Sequence, residues 1–256
     1  MDFGLLVCGA ADDAQRTEVE RLLKEQHIPL SGFVTPPHPR PLLRGDEERE
    51  PFLRLAALTL LTPGTPIPAA SILRHLNRDA RPGNVLRRYV SLHLSLLPYL
   101  RLHSEVKRLR GCQMVGDALI AVPLGRSNLM DAALPPGEWT DLMDNTVHTG
   151  RLRGVRSFNA MPILVRENTL LPVYAIDRAT SAVDHARLIL HWYQPAQETE
   201  CRLPSGAIYR AWRDGNSFDW AASVFSQGQH VFVHESGMEL VIRGPAQSIF
   251  YGGWKP

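Results

Sequence analysis

The sequence changes its pattern near Gly111, and this change restricts the folds that the chain can adopt. On the N-terminal side, short apolar runs alternate with segments of helical periodicity. On the C-terminal side, short runs typical of strands alternate with turns that contain Gly, Pro, Asn and Asp. Strands separated by helices favour a parallel sheet, whereas closely spaced strands favour antiparallel sandwiches. The pattern therefore predicts an α/β region over 1–110 and all-β structure after it.

The N-terminal segment predicts a strand, a helix and a second strand. The apolar run "FGLLVCGA" over 3–10 is typical of a buried strand, and "PLSGFVT" over 29–35 is typical of another. Between them, 12–26 has helical periodicity. The apolar face of this helix is predicted to consist of Val19, Leu22 and Leu23. A strand, helix, strand unit favours parallel pairing of its two strands.

Two further helices are predicted before the change of pattern. The Pro-rich segment 35–50 is a predicted loop, because proline neither extends a helix nor donates to a ladder. One helix is predicted over 48–61, ending at "TPGTPIPAA" (62–70). Another is predicted over 84–110, where Pro98 is expected to introduce a kink.

Apolar runs after Gly111 predict strands at 118–124, 162–168, 186–193, 230–236 and 238–244. The polar segment "DRATSAVDH" separates these strands into two groups. We therefore predict three regions, which span 1–110, 111–183 and 184–256.

The charges argue against polyanion-binding classes of protein. The 28 Lys and Arg residues are mixed along the chain with 26 Asp and Glu residues, which gives a net charge of +2. A balanced surface concentrates neither nucleic acid nor anionic lipid, so neither is expected as a partner. No apolar run approaches the ~18 residues of a membrane span, and the N-terminus lacks the basic segment of a signal peptide. A cytoplasmic location is therefore expected.

The three cysteines are Cys8, Cys112 and Cys201, and they form no CxxC pair. This spacing predicts buried free thiols rather than a disulfide framework or a zinc site. No cofactor is predicted from the sequence.

Three segments of the β-rich part carry a more specific pattern. They are "GDALIAVPL" (116–124), "LPPGEWTDLMDNTVHTG" (134–150) and "MPILVRENTLLPV" (161–173). In order and spacing they resemble the C-terminal part of glycoside hydrolase family 31, the α-glucosidases and α-xylosidases. Asn168 stands where the family has a glycine. The matching residues are Val122, Pro123, Leu134, Pro135, Gly137, Trp139, Pro162, Val165, Arg166, Leu171 and Pro172.

Weaker matches extend the resemblance toward the N-terminus. Residues 85–100 are similar to the last barrel helix of the family, 48–58 to the helix before it, and 30–32 to the barrel strand before that helix. The matching helix residues are Glu50, Arg54, Tyr89, Leu96, Leu97, Pro98 and Tyr99. The resemblance implies the last elements of a (β/α) barrel, then a proximal and a distal β-sandwich. Since a closed barrel needs ~200 residues or more, a truncated barrel remnant is expected.

The resemblance also implies where catalytic residues would stand. Retaining glycosidases hold two carboxylates ~5 Å apart, one as nucleophile and one as acid/base. The family's nucleophile strand has no counterpart here, and the acid/base position falls on Ala10, after Cys8 and Gly9. Pro68 falls on a sugar-binding histidine, and 36–41 falls on an aspartate followed by glycines. No catalytic residue is therefore predicted, and substrate-binding residues are left unassigned.

Several acidic residues allow both a chemical and a structural interpretation. Asp12 and Asp13 form either a carboxylate pair at a strand end or a helix cap with a favourable charge at the helix dipole. The cap is favoured, because adjacent aspartates that open a helix usually serve this purpose. The acidic run Asp46, Glu47 and Glu48 is likewise interpreted as the charged first turn of a helix.

Histidines and tryptophans are weighed in the same way. His38 is interpreted as a solvated loop residue rather than a general base. His230 and His234 share a face of a strand, but a metal site needs more ligands, so no metal is predicted. The tryptophans are candidates for stacking on a sugar, but packing in a core or interface is favoured for each. They are Trp139, Trp192, Trp212, Trp220 and Trp254.

These observations give one leading hypothesis and two alternatives. The leading hypothesis is a catalytically incompetent family 31-like protein, which acts as a structural or interaction module in a carbohydrate context. One alternative is the C-terminal part of a split or larger α-glycosidase that hydrolyses α-glucosides or α-xylosides, and the other is a carbohydrate-binding module. The expected partner is a second copy of the chain or a chain that completes the barrel, because a partial parallel sheet has unpaired edges. Carbohydrate is the candidate small ligand.

Overall fold

The computed structural model describes residues 4–25, 27–35, 56, 66–76, 81–103, 105–124, 129–156, 161–176, 183–224, 230–236 and 238–243. The predicted Pro-rich loop over 36–50, most of the predicted helix over 48–61, and Trp254 lie outside these residues. In the described part, the chain folds as an α/β region followed by all-β sheets, as the sequence predicts.

A three-stranded parallel sheet begins the fold. The strands β1 (Leu5–Cys8), β2 (Leu30–Val34) and β3 (Pro66–Pro68) lie in the order β2-β1-β3, and both pairings are parallel. The pairing of β1 with β2 confirms the predicted strand, helix, strand unit. From the sequence, the segment around β3 is predicted only as the end of a helix. Prolines are tolerated in β3 because, among the described strands, it pairs with β1 alone.

Two of the described helices pack beside this sheet. Helix α1 (Asp13–Glu25) contacts helix α2 (Ala69–Leu76). The face of α1 that is buried consists of Val19, Leu22 and Leu23, as predicted.

Helices α3 (Arg81–Ser95) and α4 (Leu97–Leu100) follow each other directly. They are separated at Leu96, and Pro98 lies in the first turn of α4. A proline clashes with the preceding turn inside a helix but is tolerated in a first turn. The predicted kink at Pro98 is therefore a break between two helices.

The prediction of a helix over 84–110 is wrong for its C-terminal part. Strand β4 (Val106–Leu109) pairs antiparallel with β5 (Cys112–Val115). Gly111 in the turn between them has a φ of +80°, and a Cβ atom there would lie 2.0 Å from the backbone oxygen of Asp131. Only glycine fits this turn, and the hairpin overrides the local helical periodicity.

In the described residues, the proximal β-region, which comprises β4 to β11, consists of two antiparallel sheets. The six-stranded sheet has the order β4-β5-β6-β11-β8-β9 and contains β6 (Leu119–Ala121), β8 (Trp139–Asp141), β9 (Val147–His148) and β11 (Ile163–Arg166). The two-stranded sheet pairs β7 (Leu129–Ala133) with β10 (Arg151–Val155).

The strands from β12 to β18, which we call the distal β-region, also form two sheets in the described residues. One has the order β12-β13-β17-β18 and consists of β12 (Thr169–Ile176), β13 (Val183–Tyr193), β17 (His230–Glu235) and β18 (Met238–Arg243). The other has the order β14-β15-β16 and consists of β14 (Glu198–Arg202), β15 (Ile208–Asp214) and β16 (Ser217–Ala222). The β13–β17 pairing is parallel, and the others are antiparallel. Strands β6, β11, β13, β17 and β18 confirm the five predicted runs.

In the part of the chain that the structure describes, two hydrophobic cores hold these layers together. The first runs from the parallel sheet and helices into the proximal strands and includes Trp139. The second lies in the distal region and includes Trp192, Trp220 and Val231. Successive residues of β13 face different cores, because Trp192 packs in the second and Tyr193 in the first. The predicted boundaries of the three regions stay predictions.

In the described part of the chain, no helix has both the length and the apolar character needed to cross a bilayer.

Candidate functional site

The carboxyl ends of the parallel strands form the edge at which barrel enzymes place catalytic residues. Strand β1 ends at Cys8 and is followed by Gly9, with a φ of +70°, and by the partly exposed Ala10. Strand β2 ends at Val34, and β3 ends at Pro68. None of these five residues carries a carboxylate, a hydroxyl or an imidazole group.

Asp12 is the first acidic residue after β1, and it caps helix α1. Its Oδ1 accepts a hydrogen bond from the backbone N–H of Gln15 at 2.8 Å, while Oε1 of Gln15 accepts one from the N–H of Ala11 at 3.1 Å. This reciprocal bonding satisfies donors that a helix start leaves free. Asp13 is 99% exposed and lies 3.8 Å from Arg16. The helix-cap interpretation of the two aspartates is confirmed.

The three cysteines are free thiols. Cys8 and Cys112 are buried, as predicted, and Cys201 is half-buried. Burial raises the pKa of each thiol, and for Cys201 burial and the nearby charge of Glu200 raise the pKa to about 12. A nucleophilic cysteine needs a lowered pKa, so these thiols are poorly suited to attack a substrate.

A groove of about 440 Å³ lies where the end of helix α4 meets the first strands of the distal region. Its walls come from residues within 99–103, 117–118, 168–172 and 199–202. The volume falls in the range of small-molecule sites, about 300–1,000 Å³. The sequence assigns no substrate-binding residue, and these four segments are far apart along it.

One wall of the groove is aromatic. The rings of Tyr99 and His103 stack with centroids 4.4 Å apart. The Tyr99 hydroxyl donates a hydrogen bond to the backbone oxygen of Val115 at 3.0 Å and accepts one from the N–H of Ala118 at 3.1 Å. Burial raises the pKa of Tyr99, so the phenol stays protonated. The aromatic surface is thereby held in a fixed orientation.

Asn168 joins the proximal and distal parts of the groove. Its Oδ1 accepts hydrogen bonds from Trp192 Nε1 and from the backbone N–H of Ala196, both at 3.1 Å. Its Nδ2 donates to the backbone oxygen of Glu198 at 2.9 Å. The φ of Asn168 is +52°, a conformation that asparagine tolerates better than most residues. The asparagine therefore builds the turn for which the family pattern has a glycine.

Glu200 supplies a negative charge to the groove. Oε1 accepts a hydrogen bond from Arg202 Nε at 2.8 Å, and Oε2 accepts one from Arg210 Nε at 2.6 Å. Desolvation raises the pKa of Glu200, but the hydrogen bonds from Arg210 and Arg202 outweigh it and leave the pKa below its ordinary value. The groove thus combines an aromatic surface with ionised donors and acceptors, which suits a ligand with several hydroxyl groups.

Three tryptophans in the described residues serve packing. Trp139, Trp192 and Trp220 are at most 2% exposed. Trp139 also donates a hydrogen bond from Nε1 to the backbone oxygen of Pro135 at 3.0 Å. The core interpretation of these three residues is confirmed, and Trp212 is half-buried.

Asp141 is a fully buried carboxylate in the proximal sheet. Its Oδ1 accepts a hydrogen bond from the N–H of Met143 at 2.9 Å, and its Oδ2 lies 3.5 Å from the guanidinium of Arg156. Desolvation raises the pKa of Asp141 to about 6, because these favourable contacts offset only part of the burial cost. The ionisation of Asp141 is therefore coupled to folding stability near neutral pH.

Two histidines and a glutamate meet on one face of the distal sheet. The β13–β17 register places His191 opposite Phe232 and Tyr193 opposite His234, and the β17–β18 register places Glu239 opposite His234. His191 Nδ1 lies 2.8 Å from His234 Nε2, and His234 Nδ1 lies 3.8 Å from Glu239 Oε2.

The sequence predicts that His230 and His234 share a face of a strand without forming a metal site, whereas the structure brings His234 to His191. These two residues are 43 positions apart, and their contact depends on the parallel pairing of β13 with β17. No local sequence pattern signals this pairing. The other candidates, His38 and the acidic run 46–48, lie outside the described residues.

No protein-family profile matches this sequence, and no curated protein matches it. Solved structures match it in fold. The cycloalternan-forming enzyme from Listeria monocytogenes has a TM-score of 0.60 and 15% identity, over 75% of this chain and 23% of that chain. The GH31 dextranase from Flavobacterium johnsoniae has a TM-score of 0.60 and 14% identity, over 77% of this chain and 31% of that chain. The glucosidase II α subunit has a TM-score of 0.52 and 12% identity, over 73% of this chain and 27% of that chain.

These likenesses confirm the predicted resemblance at the level of the fold, which corresponds to a C-terminal portion of glycoside hydrolase family 31 enzymes. Identities of 12–15% concern the fold and do not carry an activity across. The chain spans 23–31% of the length of these three structures.

Proposed function

We propose that this chain is a non-catalytic module with a family 31-like fold, which serves a structural or binding role and does not cleave glycosides. The observation that carries this proposal is the strand end after β1. Ala10 stands at the position that the resemblance assigns to the acid/base, and Asp12 is hydrogen-bonded as the cap of α1. A retaining glycosidase needs two positioned carboxylates, and this strand end supplies none.

The capping bond also holds the Asp12 side chain at the start of helix α1. Its Oδ1 accepts the bond from Gln15, and the loss of an N-cap costs about 1 kcal/mol, so the cap stabilises this position of the carboxyl group. The bonded geometry therefore favours a structural use of this residue.

Hydrolysis of aryl α-glucosides and aryl α-xylosides tests the proposal. We expect release of the aryl group at the rate of the buffer alone, both for the wild-type chain and for Asp12→Asn. Asp13→Asn is the matched control, because Asp13 is adjacent but fully exposed. Turnover that disappears in Asp12→Asn and persists in Asp13→Asn would show that the capping aspartate is catalytic, and the proposal would be wrong.

The groove favours a second candidate function, which is carbohydrate binding. A pyranose has an apolar face and a rim of hydroxyl groups, and the groove offers the Tyr99–His103 stack beside ionised Glu200 and Arg202. Aromatic surfaces of this kind accept an apolar face, while charged groups bind hydroxyl groups strongly.

Calorimetric titration with maltose and with α-xylosides tests this second function. We expect His103→Ala to weaken binding, because it removes the solvent-facing partner of the stack. Asp219→Asn, an exposed change on β16 that does not line the groove, should bind like the wild type. The absence of binding, or equal binding by both variants, contradicts a sugar site in the groove.

We further propose that the chain works as an oligomer. In the described part, β2 and β3 each pair with β1 alone, so their outer edges leave backbone groups available for another strand. A second copy of the chain is our first choice, since symmetric self-association is the commonest assembly of soluble proteins. A chain that supplies further barrel strands is the alternative, and it corresponds to a split α-glycosidase. The free cysteines support the proposed cytoplasmic location, where thiols stay reduced.

A further inference from the structure

We propose that His191, His234 and Glu239 form a binding site for a divalent transition-metal ion, for which Zn²⁺ is the best match. One donor atom from each side chain lies within 4.8 Å of the others. Two imidazoles and one carboxylate are a ligand set that zinc accepts, with the remaining position left open. The site shares no residue with the groove or with the barrel strands, and the sequence analysis had predicted no metal.

The strand register explains why the three donors converge. Residues two apart on a strand share a face, so His191 and Tyr193 of β13 lie on the face opposite to the buried Trp192. The parallel partner β17 adds His234 to the same face, and β18 adds Glu239 directly opposite His234. Three adjacent strands thus each contribute one donor, and the sheet fixes the spacing of their Cα atoms.

His234 has an unsatisfied nitrogen inside this cluster. Its residue is 5% exposed, and Nδ1 has no hydrogen-bond partner, the nearest acidic oxygen being Glu239 Oε2 at 3.8 Å. Buried polar atoms in native proteins are nearly always bonded, so an orphaned imidazole nitrogen beside a carboxylate points to a missing partner. A cation between these groups supplies one.

The distances suit a small ion after minor adjustment. Bond lengths of about 2.0–2.1 Å place tetrahedral zinc ligands about 3.3 Å apart. His234 Nδ1 lies 3.8 Å from Glu239 Oε2, close to this value, and one donor atom from each of the three side chains lies within 4.8 Å of the other two. The Glu239 side chain is 44% exposed, so it is free to turn toward the ion and leaves a route from solvent.

Aromatic neighbours hold the two imidazole planes. The Tyr193 ring stacks on His234 with centroids 4.4 Å apart and an interplanar angle of 10°. The Phe232 ring stacks on His191 at 5.1 Å and 23°. Ligands whose orientation is fixed by their surroundings bind a metal more tightly than mobile ones.

The test uses the full chain after removal of metals by a chelator. Calorimetry with Zn²⁺ measures affinity and stoichiometry, and Co²⁺ substitution reports tetrahedral coordination by visible absorption. We expect one equivalent of zinc, a weakening of about 10-fold or more in Glu239→Gln, and loss of binding in His191→Phe. His185→Ala is the matched control, because His185 is an exposed histidine on the same strand that is not part of the cluster, and it should bind like the wild type.

Glu239→Gln keeps the proposal testable even if a histidine variant unfolds, because Glu239 is exposed and its replacement should leave the melting temperature of the metal-free chain unchanged. Absence of zinc binding by the wild-type chain at micromolar protein would overturn the proposal. Full affinity in Glu239→Gln, or equal losses in His185→Ala and His191→Phe, would overturn it as well, because either result places the ion elsewhere.

Discussion

Trp139→Ala is the most informative perturbation of the predicted family turn. The Trp139 side chain is fully buried in the first core, and its Nε1 hydrogen-bonds to the backbone oxygen of Pro135 at 3.0 Å. Truncation of a buried large aromatic residue costs about 3–5 kcal/mol, because apolar contacts are lost and a cavity remains. The lost hydrogen bond adds about 1 kcal/mol.

This loss is large compared with the total stability of a folded domain, which is about 5–15 kcal/mol. We therefore expect Trp139→Ala to lower the urea midpoint strongly with little change in the denaturant slope. Trp139→Phe keeps most of the ring and loses the hydrogen bond, so its loss should be intermediate. Val155→Ala, a change at a residue that is 69% exposed on β10, should alter stability by less than about 0.5 kcal/mol.

The assay is urea unfolding of the three variants, followed by tryptophan fluorescence and circular dichroism. A loss below about 1 kcal/mol in Trp139→Ala, similar to the exposed control, would refute the packing account. Unchanged stability together with lost sugar binding would instead mean that Trp139 is a ligand-stacking residue.

Three further predictions follow from the same structure. Burial raises the pKa of Asp141 to about 6, so the contribution of its carboxyl group to stability is present below about pH 4 and is lost as pH rises through about 6. The free energy of unfolding of Asp141→Asn should therefore gain up to about 3 kcal/mol relative to wild type between pH 4 and pH 7.5. A difference in unfolding free energy that does not change with pH would contradict this. Gly111→Ala should destabilise the chain more than Gly9→Ala in thermal unfolding, since both glycines have positive φ but only a Cβ at Gly111 meets backbone, and equal losses would show that the β4–β5 turn is misassigned. Light scattering at micromolar concentration should give a mass of at least twice 28.6 kDa, whereas a single 28.6 kDa species with β1 and β2 protected from hydrogen exchange would argue against an oligomer.

Elements with local signals could be predicted from the sequence. The cap at Asp12 and the apolar face of α1 lie within a few residues of each other, and the structure has both. The runs that became β6, β11 and β13 also have the expected apolar character and flanking turn residues. The family pattern predicts a structural role for Trp139, and the structure has this residue buried at the start of β8.

Features that depend on distant contacts could not be predicted. The segment 106–109 has helical spacing but forms β4, because the Gly111 turn and pairing with β5 determine its conformation. The groove joins four segments separated by up to about a hundred residues. The contact between His191 and His234 requires parallel strands in a mostly antiparallel sheet, which hydrophobic alternation does not reveal.

The central claim is that a family 31-like fold is present without its glycosidase chemistry. Covalent trapping tests it most directly, because a retaining glycosidase forms a glycosyl-enzyme intermediate through its nucleophilic carboxylate. The measurement is the intact mass of the chain after incubation with a fluorinated α-glucosyl fluoride that traps this intermediate, with an active retaining α-glucosidase as the positive control. We predict an unchanged mass for this chain and a labelled control. A mass increase of one fluorosugar, mapped to an Asp or Glu of this chain, would contradict the account.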